Sequence, residues 1–308
     1  GILSILLWAI AFTCFGQLKH DVNWVFGHNA GLDFSDPDTV VARTSFCANH
    51  ELAASFSDSN GNLLCYLAGD DIYAVFTALN LMLPNGQIAN NGNLVNIYGS
   101  SARGACFLPK PGQEDKKLVL LTSGQSIGNC PAPFCNQLFA SVIDYGDRLN
   151  VNVVEKNQLV SQETIVERIF AVKHANGNDW WVYTHKKGDN NNGIPCNNTF
   201  LIFLLNKDGI SLWDTQDVGS IFCESGSFIG GGGLSTSGNL MANCNIAENF
   251  VDIFSIDRCS GILTLTNKID SSVFFPYMAV FSANDSFIYI SSSDNLSSTA
   301  NFIQFDLS

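Results

Sequence analysis

The stretch "HANGNDWWVYTHKKGDN", residues 174–190, concentrates residue types that can do chemistry. It holds two histidines, His174 and His185, together with two aspartates and a pair of tryptophans. Histidine and carboxylate side chains are common metal ligands and proton-transfer groups. The two histidines are eleven positions apart, however, and a local metal pair has i, i+2 or i, i+4 spacing. The spacing favours structural histidines near the two ends of a strand.

The alternation inside this stretch predicts a β-strand with two buried faces. Side chains at even positions of residues 180–185 face one way and those at odd positions face the other. Both sets are largely apolar, as expected of a strand that is covered on each side. An Asn-Gly turn at 176–177 leads in, and a polar stretch at 186–193 leads out. We therefore predict a structural sheet core that contains Trp180, Trp181, Tyr183, His174 and His185.

Short strand pairs joined by tight turns recur along the chain. The segment "ASFSDSNGNLLCYLAG" turns at Asn60 and Gly61, and Asn-Gly between alternating apolar segments is a strong hairpin signal. The segment "FLIFLLNKDGISLWD" turns in the same way at Asp208 and Gly209. No stretch sustains a helical period of 3.6 residues. The chain is therefore predicted to be all-β.

An internal repeat indicates the architecture. Residues 233–244 align with residues 280–291, which places Ser235 against Ser282 at a spacing of 47 positions. A unit of about 40–50 residues with four short strands is typical of a β-propeller blade. We predict a propeller of WD40- or YVTN-like blades over residues 17–308, with about five blades present and truncation at the C-terminus. The glycine run at 229–235 is expected to let blade backbones pack closely near the axis.

Charge and the N-terminus limit the functions and locations to consider. The formal net charge is −13 with only 15 basic residues, which excludes a phosphate-binding surface for nucleic acid. The first residues form an apolar run that resembles the core and cleavage end of a secretory signal. We predict a signal peptide at 1–16, with its n-region missing, cut between Gly16 and Gln17. No later stretch is long and apolar enough for a transmembrane helix, so the predicted location is extracellular or on the outer cell surface.

Cysteines and acidic residues are the remaining candidates for a disulfide, a metal site or a catalytic pair. Cys130 and Cys135 enclose the short loop "PAPF" and are predicted to form a local disulfide. No CxxC or HExxH pattern is present, and no metal, cofactor or catalytic residue is predicted. The acidic candidates for a glycosidase pair lie in or beside turns, where aspartate caps backbone amides. These residues are Asp58, Asp70, Asp71 and Asp179.

Six segments in a fixed order carry a family resemblance. They are "WVFGHNAGLDFSDPD", "ASFSDSNGNLLCYLAGDDIY", "MLPNG", "FLPKPG", "VIDYG" and "FAVKHANGNDWWVYTHKKGDN". Together they resemble the N-terminal propeller region of large Bacteroidetes surface proteins. Those proteins are exported by the type IX secretion system and often carry gliding-motility-type C-terminal sorting domains. The resemblance implies an exported surface protein that meets the secretion machinery through a C-terminal domain following Ser308.

Two classes of function remain after this search. The first is a non-enzymatic secreted or cell-surface propeller for binding or adhesion, with a protein or glycan ligand. The second is an exported carbohydrate-active hydrolase or lyase on the same scaffold. Two carboxylates, or a histidine and a carboxylate, converging in the central channel favour the enzyme. We expect the first class.

Overall fold

The structure of the protein, a computed structural model, consists almost entirely of β-strands. It describes residues 19–36, 38–48, 52–69, 78–98, 101–125, 136–148, 150–270, 273–293 and 300–307. The helical element of these residues is one 3₁₀ turn, Asn190–Asn192. The predicted signal peptide, the predicted Cys130–Cys135 disulfide, and Asp70 and Asp71 lie outside the described residues.

The strands fall into six successive groups, which we call blades 1 to 6. Blade 1 contains β1 (Asn23–Phe26), β2 (His28–Asp36) and β3 (Thr39–Ala48). Blade 2 contains β4 (Ser55–Ser57), β5 (Leu63–Ala68), β6 (Ala78–Met82) and β7 (Ile88–Tyr98). Blade 3 contains β8 (Ala105–Pro109), β9 (Lys117–Gln125), β10 (Asn136–Asp144) and β11 (Asn152–Ile165). Blade 4 contains β12 (Phe170–Lys173), β13 (Trp180–His185), β14 (Asn197–Asn206) and β15 (Gly209–Phe222). Blade 5 contains β16 (Gly232–Leu234), β17 (Leu240–Asn245), β18 (Phe250–Ile256) and β19 (Leu263–Ile269). Blade 6 contains β20 (Met278–Phe281), β21 (Phe287–Ser293) and β22 (Ala300–Asp306).

The strand order confirms the predicted β-propeller. In each blade, consecutive strands pair antiparallel, so a blade is a meander of short strands. Blades 2 to 5 have four strands each, and blades 1 and 6 have three among the described residues. Blades 2 and 3 are also joined at their outer edges, because β7 pairs parallel with β11 at Asn90 and Asn152. The prediction of about five four-stranded blades is thus close to the arrangement observed.

Successive blades bury a separate apolar layer between each pair. The layer between blades 3 and 4 includes Leu121 and Val182, and the layer between blades 4 and 5 includes Trp181 and Phe254. The two faces of β13 therefore pack against different blades, which explains why both sets of its side chains are apolar. A blade cannot bury both faces alone, so each blade is stabilised by its neighbours.

The glycine run lies where the inner strands come closest. Its residues Gly232–Leu234 form β16, which lies beside β20, the first strand of the next blade. A Cβ atom added to Gly233 would lie 2.2 Å from the carbonyl oxygen of Ala279 in β20. Only glycine permits this approach, because any side chain would push the two inner strands apart.

The aligned repeat corresponds to the same turn in blades 5 and 6. In blade 5, the Ser235 amide donates to the Leu240 carbonyl at 2.9 Å, and the Leu240 amide donates to Ser235 Oγ at 3.0 Å. In blade 6, Ser282 and Phe287 form the same two bonds at 2.9 and 3.0 Å. The serine therefore closes the first turn of each blade, which confirms the alignment.

Candidate binding cleft

A cleft of about 470 Å³ opens where the first strands of blades 2, 3 and 4 meet. The His20–Asn23 stretch lies along β4, because Ser57 donates its amide to the His20 carbonyl and Ser55 donates its hydroxyl to the Asn23 carbonyl. The volume falls within the ~300–1,000 Å³ typical of small-ligand sites. We call this feature the axial cleft. Its lining residues are His20, Asp21, Ser55, Phe56, Ser59, Phe107, Pro109, Glu114, Asp115, Lys173 and Trp180.

One wall of the axial cleft is aromatic. The His20 ring stacks on Phe56 with ring centroids 4.6 Å apart, and Phe107 lies 6.3 Å from Phe56. The His20 ring is held by a hydrogen bond of 2.7 Å from Nδ1 to the Ser57 carbonyl. The Trp180 indole is oriented by its Nε1–H, which donates to the Pro109 carbonyl at 3.2 Å. Rings from four segments of the chain therefore have fixed positions around one space.

The rest of the axial cleft is lined by charged side chains. Asp21 and Asp115 are exposed, and Glu114 is half-buried with its Oε1 accepting the Gly112 amide at 2.9 Å. The Lys173 ammonium donates to the Asn178 carbonyl at 2.9 Å and lies 4.1 Å from the centroid of the Trp180 ring. The cleft lining thus carries three carboxylates and one ammonium.

The environment of Lys173 balances two opposing effects. Burial lowers the pKa of the Lys173 ammonium below its ordinary value, and the negative charges of Glu114 and Asp179 oppose that shift. A cation placed between a tryptophan face and carboxylates is stabilised by both. The ring face and the carboxylates thus offset part of the cost of burying the Lys173 charge, and the net pKa remains below its ordinary value.

A second cavity adjoins the axial cleft. It has a volume of about 480 Å³ and shares Asp21, Ser55 and Phe107 with the cleft. Its remaining lining includes Trp24 and the thiol of Cys106. Burial raises the pKa of the Cys106 thiol to about 12, against the lowering effect of Arg103. The thiol is therefore protonated at neutral pH and is a poor nucleophile.

The two histidines of the opening sequence stretch lie apart. His174 follows β12, where its ring stacks on Trp181 at 5.0 Å and its Nδ1 accepts the Asn176 amide at 2.9 Å. His185 ends β13, where it stacks on Phe222 at 4.0 Å and donates from Nδ1 to the Lys186 carbonyl at 2.6 Å. The length of β13 separates them, so they do not form one site.

The strand residues between them differ in exposure. Trp181 and Tyr183 are buried in the layer between blades 4 and 5. Trp180 packs against the layer between blades 3 and 4 and is only partly buried, because its indole also lines the axial cleft. Trp180 thus contributes both to packing and to the candidate site.

Three of the four predicted turn residues lie in turns between strands, and the fourth, Gly209, is the first residue of a strand. Asn60 and Gly61 lie between β4 and β5, where Gly61 has a φ of 89°, a left-handed conformation that favours glycine. Asp208 lies in the turn before β15, and Gly209 begins that strand. The Asp208 carboxylate accepts from Lys207 Nζ at 2.7 Å.

Asp58 and Asp179, two of the candidate catalytic carboxylates, stabilise turns by accepting hydrogen bonds. The Asp58 carboxylate accepts the amides of Asn60 and Asn62 at 2.8 and 3.0 Å and forms an ion pair with Arg148. The Asp179 carboxylate accepts from Asn176 Nδ2 at 2.7 Å. Neither carboxylate lines the axial cleft.

A buried arginine in the connection between β11 and β12 was not predicted from the sequence. Arg168 donates from Nε to Asn243 Oδ1 at 2.6 Å and from Nη1 to the Gly230 carbonyl at 2.8 Å. Its guanidinium also lies 5.3 Å from the centroid of the Phe222 ring. Burial lowers the pKa of Arg168 to about 10, so the group stays charged at neutral pH. It ties blade 4 to the connection that enters blade 5.

A disulfide and a buried ion pair stabilise the loop between β13 and β14. Cys196 and Cys223 form a disulfide across 27 positions, which the sequence reading did not assign. Beside it, Lys187 and Asp189 are both almost fully buried, with Nζ and Oδ2 separated by 3.4 Å. Asp189 also accepts from the Ser225 hydroxyl at 2.8 Å. These contacts fix the loop between β13 and β14 against the segment that follows β15, and none of their residues lines the axial cleft.

The described ranges contain neither a metal-ligand cluster nor a helix that could span a membrane. Within them, no group of three or more His, Cys, Asp and Glu side chains is arranged to hold a metal ion. The same part of the chain contains no helix with the length and apolar character needed to cross a bilayer.

Comparison with known proteins gives similarity of fold alone. No family model and no curated protein matches the chain. The periplasmic gluconolactonase PpgL of Pseudomonas aeruginosa is 12% identical, with 90% of this chain and 77% of that chain covered and a TM-score of 0.47. The Dos1 propeller is 10% identical, with coverage of 91% and 64% and a TM-score of 0.49. The Myceliophteria thermophila Cps50 (Swd1) β-propeller domain is 11% identical, with coverage of 94% and 83% and a TM-score of 0.47. The functions of these proteins are not transferred to this chain.

Proposed function

We propose that this protein is a non-enzymatic binding propeller whose ligand occupies the axial cleft. The observation that carries the proposal is the lining of one cleft by aromatic rings, carboxylates and an ammonium from blades 2, 3 and 4 and from the segment before β1. Such a combination of apolar surface with a few fixed polar groups is typical of small-ligand sites. The ligand is a small molecule, or a side chain or sugar unit of a larger partner.

The alternative is an exported hydrolase or lyase that uses the same cleft. His20 lines it together with Asp21, Glu114 and Asp115. A histidine beside carboxylates is an arrangement that can supply an acid and a base for catalysis. Three details favour binding. Nδ1 of His20 is hydrogen-bonded to backbone, Glu114 accepts a backbone amide, and the two aspartates are exposed. A carboxyl acting as general acid is typically shielded from water.

The proposal extends to the place where the protein works. We propose export as part of a larger type IX-secreted surface protein, with a function in adhesion or ligand capture. The resemblance, the low content of charged residues and the Cys196–Cys223 disulfide support this, since disulfides persist in oxidising compartments. Mass spectrometry of the secreted protein should give Gln17 or a neighbouring residue as its N-terminus. Secreted protein that retains residues 1–16 would argue against export by this signal.

An array of glycans and proteins, probed with the labelled full chain, tests the binding function. The Trp180→Ala and Phe107→Ala double variant should lose at least about tenfold in affinity for any ligand that the unaltered chain binds. Trp213→Ala is the matched control, because Trp213 is 59% exposed and does not line the cleft. Binding lost in the control and kept in the cleft variant would contradict the proposal.

Product analysis on the same ligands separates binding from catalysis. Bound glycans recovered after long incubation should be unchanged in mass. Cleavage that is abolished by Glu114→Gln or Asp115→Asn would instead establish the hydrolase or lyase.

A further inference from the structure

We infer that the axial cleft recognises an alkylammonium group, which takes the position that the Lys173 ammonium occupies over Trp180. This inference rests on the proposed function, because it assigns a ligand class to the same cleft. It goes further by assigning Lys173 the role of an internal competitor.

The first observation is that a cation already lies at this position. The Lys173 ammonium is 4.1 Å from the centroid of the Trp180 ring, well within the ~6 Å over which a cation interacts with an aromatic face. The indole is oriented by its bond to the Pro109 carbonyl, so its face is fixed before any ligand arrives. The chain itself therefore demonstrates which chemical group this face accepts.

The second observation is the charge balance of the lining. Asp21, Glu114 and Asp115 line the cleft with a single ammonium, so two negative charges remain without a matching cation in the lining. The protein as a whole carries a formal charge of −13, which attracts cations to its surface. An anionic ligand would meet repulsion from these carboxylates, whereas a cationic ligand is complementary to them.

The third observation is that Lys173 can be displaced. Its ammonium makes one hydrogen bond, to the carbonyl of Asn178, which is an exposed turn residue. A lysine side chain has four rotatable bonds, so its ammonium can turn toward solvent while the strand stays in place. Because ligand and Lys173 compete for one ring face, the apparent affinity is reduced by the fraction of molecules in which Lys173 occupies it.

Calorimetric titration of the full chain with N-acetyl-lysine methylamide tests the inference. The uncharged analogue N-acetyl-norleucine methylamide should bind at least about tenfold more weakly, because it lacks the cation. Lys173→Met should increase affinity for the lysine probe about five- to tenfold by removing the competitor. Lys173→Gln serves as a second variant if the methionine form folds poorly. Lys207→Met is the matched control, because this exposed lysine of a neighbouring turn pairs with Asp208 and should leave affinity unchanged.

Two further probes identify the source of the ammonium. Butylammonium represents a free amine, and a lysine-containing tripeptide represents a side chain of a protein partner. Tighter binding of the tripeptide supports a protein partner, and equal binding supports a free amine. Either result supports recognition of the alkylammonium group.

Weaker binding of the lysine probe by both Lys173 variants would overturn the inference, because Lys173 would then be a ligand-binding group. Equal binding of the norleucine analogue would also overturn it. Under either result, the affinity for array ligands can still fall in the Trp180→Ala and Phe107→Ala double variant. In that case the binding function stands and only the assignment of an ammonium ligand fails. An unchanged affinity for array ligands in the double variant would contradict the binding function itself.

Discussion

Lys173 and Trp180 are register partners across β12 and β13, and the ammonium of one lies 4.1 Å from the ring centroid of the other. Directly paired residues on adjacent antiparallel strands project from the same face of the sheet. The register of blade 4 therefore brings these two side chains into contact. The contact lies at the point where three first strands meet, so the same register places it in the axial cleft.

Trp181 should be far more important for stability than the exposed Trp213. The Trp181 side chain is 1% exposed, stacks on His174 and donates from Nε1 to the Arg258 carbonyl at 2.9 Å. Trp181→Ala is expected to lower the free energy of unfolding by ~3–5 kcal/mol. Trp213→Ala should cost much less, because that ring is largely in solvent. Chemical denaturation of both variants checks this, and equal losses would contradict the packing described.

Asp58 should stabilise the protein at neutral pH and lose this effect in acid. Burial alone would raise the pKa of the Asp58 carboxyl, but hydrogen bonds from Asn62 and Asn60 and the charge of Arg148 hold it below the ordinary value. The stabilisation is therefore present above the unfolded pKa of about 4 and is lost as the pH falls below it. Asp58→Asn should cost ~1–3 kcal/mol at pH 7.

Denaturation curves from pH 7 to pH 3 measure the Asp58 effect. The difference between Asp58→Asn and the unaltered chain should shrink as the pH falls below about 4. Asp208→Asn is the control, because that exposed carboxylate pairs with exposed Lys207 and contributes little. A difference that grew in acid would contradict the assignment.

Because of His185, the free energy of unfolding should fall as the pH is lowered from neutral into the acid range. Burial lowers the pKa of His185 to about 3, with a smaller lowering effect from Arg168 and an opposing effect from the Lys186 carbonyl. The unfolded chain takes up a proton near pH 6.5 and the folded chain does not. Stability linked to this group is therefore complete above about pH 6.5 and is lost progressively toward pH 3.

Replacement of His185 by glutamine removes this titration. Urea unfolding at pH 7, 6, 5 and 4 should give a flatter dependence on pH for His185→Gln than for the unaltered chain. The exposed His28 is the control, and His28→Gln should leave the slope unchanged. An identical slope in His185→Gln would show that His185 is not buried in its neutral form.

The Cys196–Cys223 disulfide should contribute ~2–4 kcal/mol, since it closes a loop of 27 positions. Replacement of both cysteines by serine should lower the melting temperature without a change in strand content. Cys259→Ser is the control, because Cys259 is an exposed free thiol. A melting temperature unchanged by the double replacement, measured without reductant, would indicate that the bond does not form.

Local features of the fold were accessible from the sequence. The turn at Asn60 and Gly61, the alternation at 180–185 and the serine repeat all depend on contacts between near neighbours. The turn predicted at Asp208 and Gly209 is displaced by one residue, because the turn residues are Lys207 and Asp208 and Gly209 already pairs with Asn206. Hairpin turns and strand alternation are set by a few adjacent residues. The number of strands per blade followed from the same signals.

The axial cleft and the Cys196–Cys223 disulfide depend on long-range contacts that cannot be predicted from spacing in the sequence. His20, Phe56, Phe107 and Trp180 come together only after blades 2, 3 and 4 have packed together with the segment before β1. Cys196 and Cys223 belong to different loops, and connectivity cannot be read from cysteine positions. Arg168 gave one usable signal, since a Glu-Arg pair inside the apolar run "IVERIF" indicates buried charges with specific partners.

Fluorine NMR of protein labelled with 5-fluorotryptophan tests the central claim most directly, with resonances assigned by Trp→Phe substitution. On titration with the tightest-binding array ligand, the Trp180 resonance should move to saturation, because its ring lines the axial cleft. The resonances of buried Trp181 and rim-exposed Trp213 should move little. A saturable shift of Trp213 with an unchanged Trp180 resonance would contradict the account and place the ligand on the outer rim of the propeller.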